Sequence, residues 1–492
     1  MTNVVTARQI LEAAWNLGAR DFCVCSGSRN SPLLVVLGAA WGVGITTFVD
    51  ERSAAFFALG RARRDGRPAA VITTSGTAVA ELLPAVVEAY YARVPLILIT
   101  ADRPARFRGT GAPQAIDQQA IFGPYAARAI EAWDRCSPLH LNIEFDEPLI
   151  DGKPVPWSPD KDTEQVRDAE GPELSAPRIS FRRPVVIASG LTMGRRDMVR
   201  DFIRRLNAPL YAEPTSGLRE DPLLSDLAIT AGDRMLHRGS FDGVIRIGGV
   251  PAIRFWRDLE ESRSDLPVMH FSDAPFRGLT RGKVYSLKSL ARLEVPAIAA
   301  DRLIDDDRLM ARRIAEILDS EPQSELAMIR TLSRDLPHDA RVYLGNSLPI
   351  REWDLVATRD TNGRSFEANR GANGIDGQLS TFFGWCAAGP LNVAVLGDLT
   401  ALYDAGAAWV VPQLHSDFRI VIVNNFGGRI FSRVPSLRGV DEKTRVRLIE
   451  TTHDLRFDAW AAMWGIEERV TELRPDPAAS ERAWKRYDEL WA

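Results

Sequence analysis

The sequence lacks the features that mark secreted, nucleic-acid-binding and membrane-inserted proteins. It has only four cysteines, at positions 23, 25, 136 and 386, and they form no CxxC pair. So sparse a set excludes a disulfide framework and predicts a reducing, cytoplasmic setting. The 61 basic and 65 acidic residues give a net charge of −4, and no block of like charge stands out. We therefore expect neither a nucleic-acid footprint nor a polybasic membrane patch.

Long apolar runs are also scarce. Residues 30–49 stay free of charge over about the length of a membrane span. Pro32, Gly38, Gly42 and Gly44 interrupt this stretch, which predicts a short helix, a turn and a strand rather than membrane insertion. The N-terminus has the apolar spacing of an amphipathic helix and lacks the apolar core of a signal peptide, so we expect no targeting segment.

Short apolar runs alternate with helical patterns along most of the chain. Strand-like runs such as "FCVC", "AAVITT" and "VPLILIT" occur in the first third of the chain. Similar series of runs occur in two later blocks. This alternation predicts an α/β fold with three doubly wound, mainly parallel-sheet domains. We place them at residues 1–150, 184–322 and 323–492, with a polar, proline-rich linker at 151–183.

The third block carries the strongest chemical pattern. An apolar strand ends at Gly397-Asp398, and a second ends at Asn424-Asn425 before Gly427. Asp398 and Asn425 are 425 − 398 = 27 residues apart, which is enough for one strand–helix–strand crossover. The crossover would bring both side chains to one sheet edge. A carboxylate, an amide oxygen and a glycine carbonyl suit Mg²⁺ beside a diphosphate, although Gly, Asp and Asn are also common in ordinary turns.

Together these residues resemble the diphosphate-binding motif of thiamine-diphosphate enzymes. The resemblance implies a separate domain whose glutamate bonds to the cofactor pyrimidine, which then acts as the base. Glu51, in "VDERSAAFFALG", is our candidate, because a carboxyl at a strand end among apolar neighbours is desolvated. Asp50 is better explained as a helix N-terminal acid. The chain has only six histidines, none in these motifs, which fits a base supplied by the cofactor.

Eight motifs narrow the resemblance further. In order they are "CSGSRNSPL", "VDERSAAFFALGRA", "TTSGTAVAELLPAVVEA", "LITADRP", "GNSLPIREWD", "NRGANGIDGQLST", "GDLTALYDAG" and "VNNFGGRIFSRVP". They closely resemble the MenD family of menaquinone biosynthesis, in which Leu after Gly-Asp is usual. The resemblance implies decarboxylation of 2-oxoglutarate and conjugate addition of the succinyl unit to isochorismate. The products would be CO₂ and 2-succinyl-5-enolpyruvyl-6-hydroxy-3-cyclohexene-1-carboxylate.

The family match also implies roles for individual residues. Glu51, Ile375, Gly397, Asp398, Leu399, Asn425 and Gly427 would bind the cofactor, with Asp398, Asn425 and Gly427 on Mg²⁺ or Mn²⁺. Both substrates carry two carboxylates, which guanidinium groups bind well. The implied substrate residues are Ser28, Arg29, Arg103, Gln114, Arg254, Ser347, Arg351, Arg370, Ile430, Phe431 and Val434.

The chain departs from the family at several points. Pro113 replaces a usual Asn, and Ile253 stands where a second basic residue often precedes Arg254. The segment around residues 121–143 is shorter than usual. The chain ends in a helical pattern at "YDELWA", where the family continues into another strand. These departures concern substrate contacts and stability more than cofactor binding.

Two other functions remain open at this stage. One is another thiamine-diphosphate decarboxylase or carboligase, which would share Glu51, Asp398 and Asn425 and differ in its arginines. The other is a non-catalytic cofactor-binding descendant. A dinucleotide-dependent oxidoreductase is poorly supported, because no GxGxxG follows a strand. In this family the two cofactor-binding domains meet across a subunit interface, which implies a homodimer or homotetramer.

Overall fold

The computed structural model describes residues 2–159, 178–298, 302–360, 363–437 and 439–492. Over these ranges the chain forms three five-stranded sheets, and every strand pair in them is parallel. This confirms the predicted fold class. The predicted linker at 151–183 lies largely outside the described residues, but Trp157 at its start is buried against the first unit.

The first unit holds a sheet with strand order β2-β1-β3-β4-β5. The N-terminus forms the predicted amphipathic helix, which buries Leu11, Ala14 and Trp15. The charge-free stretch forms a helix, a turn and a strand, as expected. The elements are α1 (Asn3–Asn16), β1 (Asp21–Cys25), α2 (Ser31–Gly38), β2 (Gly44–Phe48), α3 (Glu51–Asp65), β3 (Ala69–Thr73), α4 (Thr77–Ala80), α5 (Leu83–Ala92), β4 (Leu96–Asp102) and β5 (Leu139–Glu144).

The second unit repeats this plan with the order β10-β9-β8-β6-β7. Its strands are nearly all buried on both faces, as expected for a parallel sheet covered by helices. The elements are β6 (Pro184–Ser189), α6 (Arg196–Leu206), β7 (Leu210–Ala212), β8 (Gly243–Gly248), α7 (Arg254–Asp258), β9 (Val268–Phe271), β10 (Val284–Tyr285) and α8 (Leu303–Ser320).

The third unit has the order β12-β11-β13-β14-β15. Its topological switch lies between β11 and β13, where doubly wound sheets usually form a ligand crevice. The elements are α9 (Glu325–Asp335), β11 (Arg341–Leu344), α10 (Leu348–Val356), β12 (Ser365–Glu367), α11 (Gln378–Trp385), β13 (Asn392–Gly397), α12 (Asp398–Tyr403), β14 (Phe418–Val423), α13 (Glu442–Thr444), α14 (Asp458–Trp464), β15 (Val470–Leu473) and α15 (Pro477–Glu489).

Helices α3 and α11 pack together and join the first unit to the third. Gly60 and Gly384 allow this contact, because an added Cβ would lie 2.1 Å from the Thr381 carbonyl oxygen and 2.0 Å from the Phe57 carbonyl oxygen, respectively. One apolar core, with Phe57 and Phe382 fully buried, runs through this contact. In the described part of the chain no helix is both long and apolar enough to cross a membrane.

Candidate active site

The carboxyl edge of the first sheet carries the predicted catalytic glutamate. Glu51 begins α3 directly after β2, and Asp50 is the N-cap of that helix. Asp50 Oδ1 accepts hydrogen bonds from the backbone N–H groups of Arg52 and Ser53, at 2.9 and 3.2 Å. Capping therefore falls to Asp50, as the sequence predicts. No other side chain among the described residues hydrogen-bonds or ion-pairs with Glu51.

The Glu51 carboxyl is half-buried, and its surroundings disfavour its charge. Burial raises its pKa above the usual value for glutamate, and the nearby carboxylates of Asp50 and Glu81 add to the effect. A glutamate in this state holds a proton more readily at neutral pH than an exposed one. It is therefore suited to share a proton with a nitrogen base.

Four predicted substrate residues lie along the same sheet edge. Ser28 and Arg29 follow β1, Arg103 follows β4, and Gln114 lies in the loop beyond. Gln114 adopts φ +56° and lies against Gly76, where an added Cβ would meet its Cα at 3.3 Å. Because the carboxyl ends of parallel strands share one edge, the sheet brings these side chains to the side that holds Glu51.

The two arginines of this edge differ in how far they are engaged. Arg29 is buried, its Nη1 donates to the Phe145 carbonyl oxygen at 3.0 Å, and Glu147 lies 3.4 Å away. Arg103 makes no ion pair in the described ranges, and its guanidinium carbon lies 5.6 Å from the ring centre of Phe107. Arg103 thus has the more available charge.

The carboxyl edge of the third sheet holds the predicted metal ligands. Gly397 ends β13, and Asp398, only 2 % exposed, begins α12. Its two oxygens accept backbone N–H bonds from Leu399 and Gly427, at 2.6 and 2.9 Å. Burial raises the pKa of Asp398, whereas these bonds oppose the rise. His453 Nε2 lies 3.3 Å from Oδ2, on the same side as Gly427.

Asn425 is held by a carboxylate that sequence reasoning missed. Its Nδ2 donates to both oxygens of Glu325, at 2.9 and 3.0 Å. An ionised carboxylate can only accept, so Glu325 dictates which way the amide points. The Asn425 Oδ1 is consequently turned away, and it is buried without a partner among the described residues. Glu352 lies beside Glu325, and burial raises the pKa of both carboxyls.

Gly427 occupies a backbone position that only glycine fits. Its φ is +136°, and an added Cβ would lie 2.7 Å from the carbonyl oxygen of Glu450. That carbonyl also accepts the Gly428 N–H at 2.6 Å, which fixes the loop. The Gly427 carbonyl accepts the Arg429 N–H at 2.8 Å and keeps a second lone pair.

These donors fit a hard divalent cation beside a diphosphate. A buried amide oxygen without a partner is costly unless a cation or water engages it, and Asn425 Oδ1 is such an atom. Within the described ranges no three His, Cys, Asp or Glu side chains are grouped to hold a metal. The predicted site uses one carboxylate with amide and carbonyl oxygens, a set that leaves coordination positions for phosphate oxygens and water.

A second cluster of predicted residues surrounds the end of β11. Ser347, at φ +74°, precedes α10, and its carbonyl accepts Arg351 Nη1 at 2.6 Å. Arg370 donates through Nη1 to Asn346 Oδ1 at 3.0 Å. Burial lowers the pKa of Arg351, and the charge of Arg370 lowers it further. Two like charges held together in this way favour an anion between them.

The loop that carries Arg370 and Ile375 is held by the first unit. Glu88 of α5 accepts the backbone N–H groups of Gly371 and Ala372, at 2.8 and 2.6 Å. Arg63 of α3 pairs with the same carboxylate at 3.1 Å. Ile375 lies half-buried further along this loop, before α11. Glu88 is a second residue that sequence reasoning missed, since only tertiary packing brings it to the loop.

Arg254, the match from the middle unit, is already engaged by acids. Its Nη2 lies 2.6 Å from Asp258 and 2.8 Å from Glu261, and its side chain is 53 % exposed. Glu213, a buried residue after β7, instead reaches the third unit, with its Oε1 3.7 Å from Arg370 Nη2. The structure therefore places Arg254 in ion pairs of its own unit rather than against Arg351 and Arg370.

The predicted apolar wall lies beside the metal loop. Ile430 and Phe431 belong to the 3-10 helix Arg429–Arg433, and Val434 follows it. Phe431 is 37 % exposed, and the other two side chains are half-buried. Apolar side chains thus stand accessible next to Gly427.

The predicted residues therefore form two separate groups within one chain. One group follows the first sheet around Glu51, and the other follows the third sheet around Asp398 and Asn425. No hydrogen bond or ion pair joins the two groups in the part of the chain that the structure describes.

Comparisons with known proteins show which class of enzyme this chain belongs to. The family described as "Thiamine pyrophosphate enzyme, N-terminal TPP binding domain" matches residues 5–121, which contain the Glu51 edge. With three parallel-sheet units and the Asp398 edge, the match makes this chain a thiamine-diphosphate-dependent enzyme.

Relatives that match over their full length identify the family within this class of enzyme. The chain is 39% identical over 538 residues, covering 100% of both chains, to the 2-succinyl-5-enolpyruvyl-6-hydroxy-3-cyclohexene-1-carboxylate synthase of Bdellovibrio bacteriovorus. The synthases of Akkermansia muciniphila (40%, 91% of this chain, 88% of the relative) and Chloroflexus aurantiacus (33%, 91% and 85%) are also similar. The chain belongs to this synthase family.

Proposed function

We propose that this enzyme decarboxylates 2-oxoglutarate and adds the remaining succinyl unit to isochorismate. The products are CO₂ and 2-succinyl-5-enolpyruvyl-6-hydroxy-3-cyclohexene-1-carboxylate, an intermediate of menaquinone biosynthesis. The observation that carries the proposal is the unpartnered, buried Asn425 Oδ1 beside Asp398 and Gly427, in a chain whose full-length relatives are named for this product. The cytoplasmic location stays a prediction from the few cysteines.

The residues proposed to hold the cofactor divide between the two sheet edges. Asp398, Asn425 Oδ1 and the Gly427 carbonyl would hold Mg²⁺ or Mn²⁺, and the N-terminus of α12 would face the diphosphate. Thiamine diphosphate, when bound, supplies the nucleophilic carbon and accepts the charge left as CO₂ departs. Glu51 would share its proton with the pyrimidine ring and thereby set the protonation of the neighbouring amine.

The arginines would position the two acidic substrates. Arg351 and Arg370 form a cationic pair at the third sheet, and Arg103 offers a free charge at the first. Bidentate binding of carboxylates would place the 2-oxo group against the cofactor and orient isochorismate beside it. The apolar side chains of Ile430 and Phe431 would exclude water from the reacting carbons.

We further propose that a second copy of the chain completes the site. Exposed apolar side chains line the outer edge of β2 and the segment after α12, with Val49 69 % and Trp409 44 % exposed. Trp409 Nε1 donates to the Thr47 carbonyl oxygen at 3.0 Å, so the two segments form one surface. Exposed patches of this kind usually mark interfaces. If the two cofactor-binding domains meet across this surface, as the family resemblance implies, Glu51 of one chain would face Asp398 of the other.

A continuous assay tests the proposed reaction. Purified protein is supplied with thiamine diphosphate, Mg²⁺, 2-oxoglutarate and isochorismate, and the loss of isochorismate absorbance is followed. We expect turnover that requires all four components. Release of CO₂ with isochorismate untouched would favour a different thiamine-diphosphate decarboxylase or carboligase. Cofactor binding by calorimetry without any reaction would favour a non-catalytic descendant.

A further inference from the structure

A cavity of about 910 Å³ lies between the middle and third units, away from both groups of predicted active-site residues. Its volume is within the range of small-molecule sites. One wall comes from the segment after β7, one from α8, and one from α9 with the end of α10. The polar lining includes five arginines, at positions 219, 308, 330, 334 and 359.

The acids of the lining do not balance these arginines. Asp221 and Asp226 pair with Arg200 and Arg204, neither of which lines the cavity. Glu220 pairs with an arginine of the lining, at 3.1 Å. The remaining acid, at position 360, is exposed at the edge and makes no ion pair in the described ranges. Most of the negative charge is therefore already neutralised.

Two of the arginines keep an unneutralised charge. Arg334 and Arg359 have no carboxylate within 4 Å among the described residues, and Arg359 Nη1 has one partner, the Arg219 carbonyl oxygen at 3.2 Å. Burial lowers the pKa of Arg359 to about 9, and the charge of Arg219 adds to the effect. A cation held against another cation in a cavity is stabilised by an anion.

Beyond Arg308, the residues that α8 contributes to the lining are apolar. They are Ala311, Ile314, Ala315 and Leu318, at the i, i+3, i+4, i+7 spacing of one helix face. An inorganic ion alone would make no use of these side chains. We propose that the cavity is a binding site for a small organic anion, with its acidic group on Arg334 and Arg359 and its apolar body on α8.

Helix α10 connects this cavity to the proposed substrate residues. Its C-terminal end contributes Leu355 and Val356 to the lining, whereas Ser347 is its N-cap and Arg351 lies in its first half. The helix has nine residues, so the two ends are about 14 Å apart. Arg219, at the cavity end, donates to the carbonyl oxygens of residues 353, 354 and 357. An anion that binds near Arg359 and attracts Arg219 would weaken these hydrogen bonds and could thereby shift α10.

Fluorescence titration tests the binding itself, without substrates. The probe is 8-anilinonaphthalene-1-sulfonate, and N-phenyl-1-naphthylamine is its uncharged counterpart. We expect one saturable site per chain for the sulfonate and weaker binding of the uncharged compound. Arg359→Met and Arg334→Met should each weaken sulfonate binding by about ten-fold or more, as the loss of one charged hydrogen bond does. Arg312→Met, in an exposed arginine of α8 outside the cavity lining, should bind like the wild type.

Several results would overturn the site. They are the absence of saturable binding, equal binding of the uncharged probe, or wild-type affinity in both cavity variants. Arg334 is exposed, so its variant should fold even if Arg359→Met does not. The link to α10 rests on the proposed function and is measured separately. We expect saturating sulfonate to change the KM for 2-oxoglutarate in the wild type but not in Arg334→Met. An unchanged KM with binding intact would reject that link, whereas an enzyme without turnover would reject the proposed function and leave the binding result standing.

Discussion

At the third sheet the chain fixes almost every polar group of the proposed site, whereas at the first sheet it leaves the key carboxyl free. Asp398 accepts two backbone N–H bonds, and the side-chain amide of Asn425 donates to both carboxylate oxygens of Glu325. Glu51 has no partner side chain among the described residues, although it too follows a parallel strand. The carboxyl edges of the two sheets therefore differ in how firmly they hold their key carboxyl groups.

The difference follows from what each edge has to do. Metal ligands must be held at fixed positions before the cation arrives, because a looser site loses affinity. A group that shares a proton needs instead a shifted pKa and an open approach, and the half-buried position of Glu51 gives both. The two edges can therefore be tested separately.

Exchanging the two key carboxyls for amides should separate the edges most clearly. Glu51→Gln removes the shared proton, so we expect turnover to fall by about 10²- to 10⁴-fold while metal binding persists. Asp398→Asn should abolish both, because it removes the charged ligand. Isochorismate consumption measures the first property, and electron paramagnetic resonance of free Mn²⁺ measures the second. Loss of Mn²⁺ binding in Glu51→Gln would show that the edges do not work independently.

The hold of Glu325 on Asn425 should be visible in metal affinity. In Glu325→Gln the new amide can donate as well as accept, so Asn425 is no longer forced to turn Oδ1 toward the metal position. We expect the Kd for Mn²⁺ with thiamine diphosphate present to rise by about 10- to 100-fold. Glu321→Gln, in a partly buried glutamate that pairs with the exposed Arg482, is the matched control and should leave the Kd unchanged. Equal affinities in both variants would remove Glu325 from the site.

The sequence predicted the edges well and their supports poorly. Glu51, Asp398 and Asn425 lie in strand–turn–helix patterns, which local sequence encodes, and the structure places each at a strand end. Glu325 and Glu88 lie 100 and 283 residues from their partners Asn425 and Gly371, so no local pattern indicates them.

The contact between α3 and α11 connects the two edges and should tolerate no added methyl group. In Gly60→Ala the new Cβ would lie 2.1 Å from the Thr381 carbonyl oxygen, so the helices must separate. We expect a loss of about 1–3 kcal/mol in unfolding free energy, as for other overpacked cores, and a parallel loss of turnover. Gly38→Ala, where nothing lies within 4 Å, is the control and should stay close to wild-type stability. Equal urea midpoints for the two variants would contradict this role.

The smallest effect that we expect is a pH dependence of stability at the same contact. Asp404 is fully buried, and burial raises its pKa to about 6. The Ser380 N–H and Arg52, 3.7 Å away, favour the ionised carboxylate, whereas the negative charge of Asp50 disfavours it. A folded pKa above the unfolded value of 3.8 stabilises the protein fully below pH 3.8, and this contribution is lost as pH rises through 6. Between pH 5 and pH 7 the loss amounts to roughly 1 kcal/mol.

Asp404→Asn cannot ionise, so it should lack this part of the pH dependence. We expect its stability to fall by about 1 kcal/mol less than that of the wild type between pH 5 and pH 7, measured by urea unfolding at both values. Asp319→Asn changes an exposed aspartate of α8 that pairs with Arg330 of α9, and it should keep the wild-type dependence of stability on pH. If Asp404→Asn also keeps that slope, the bonds from Ser380 and Arg52 hold Asp404 ionised throughout. The α3–α11 contact would then be anchored by a buried charge rather than by a protonated acid.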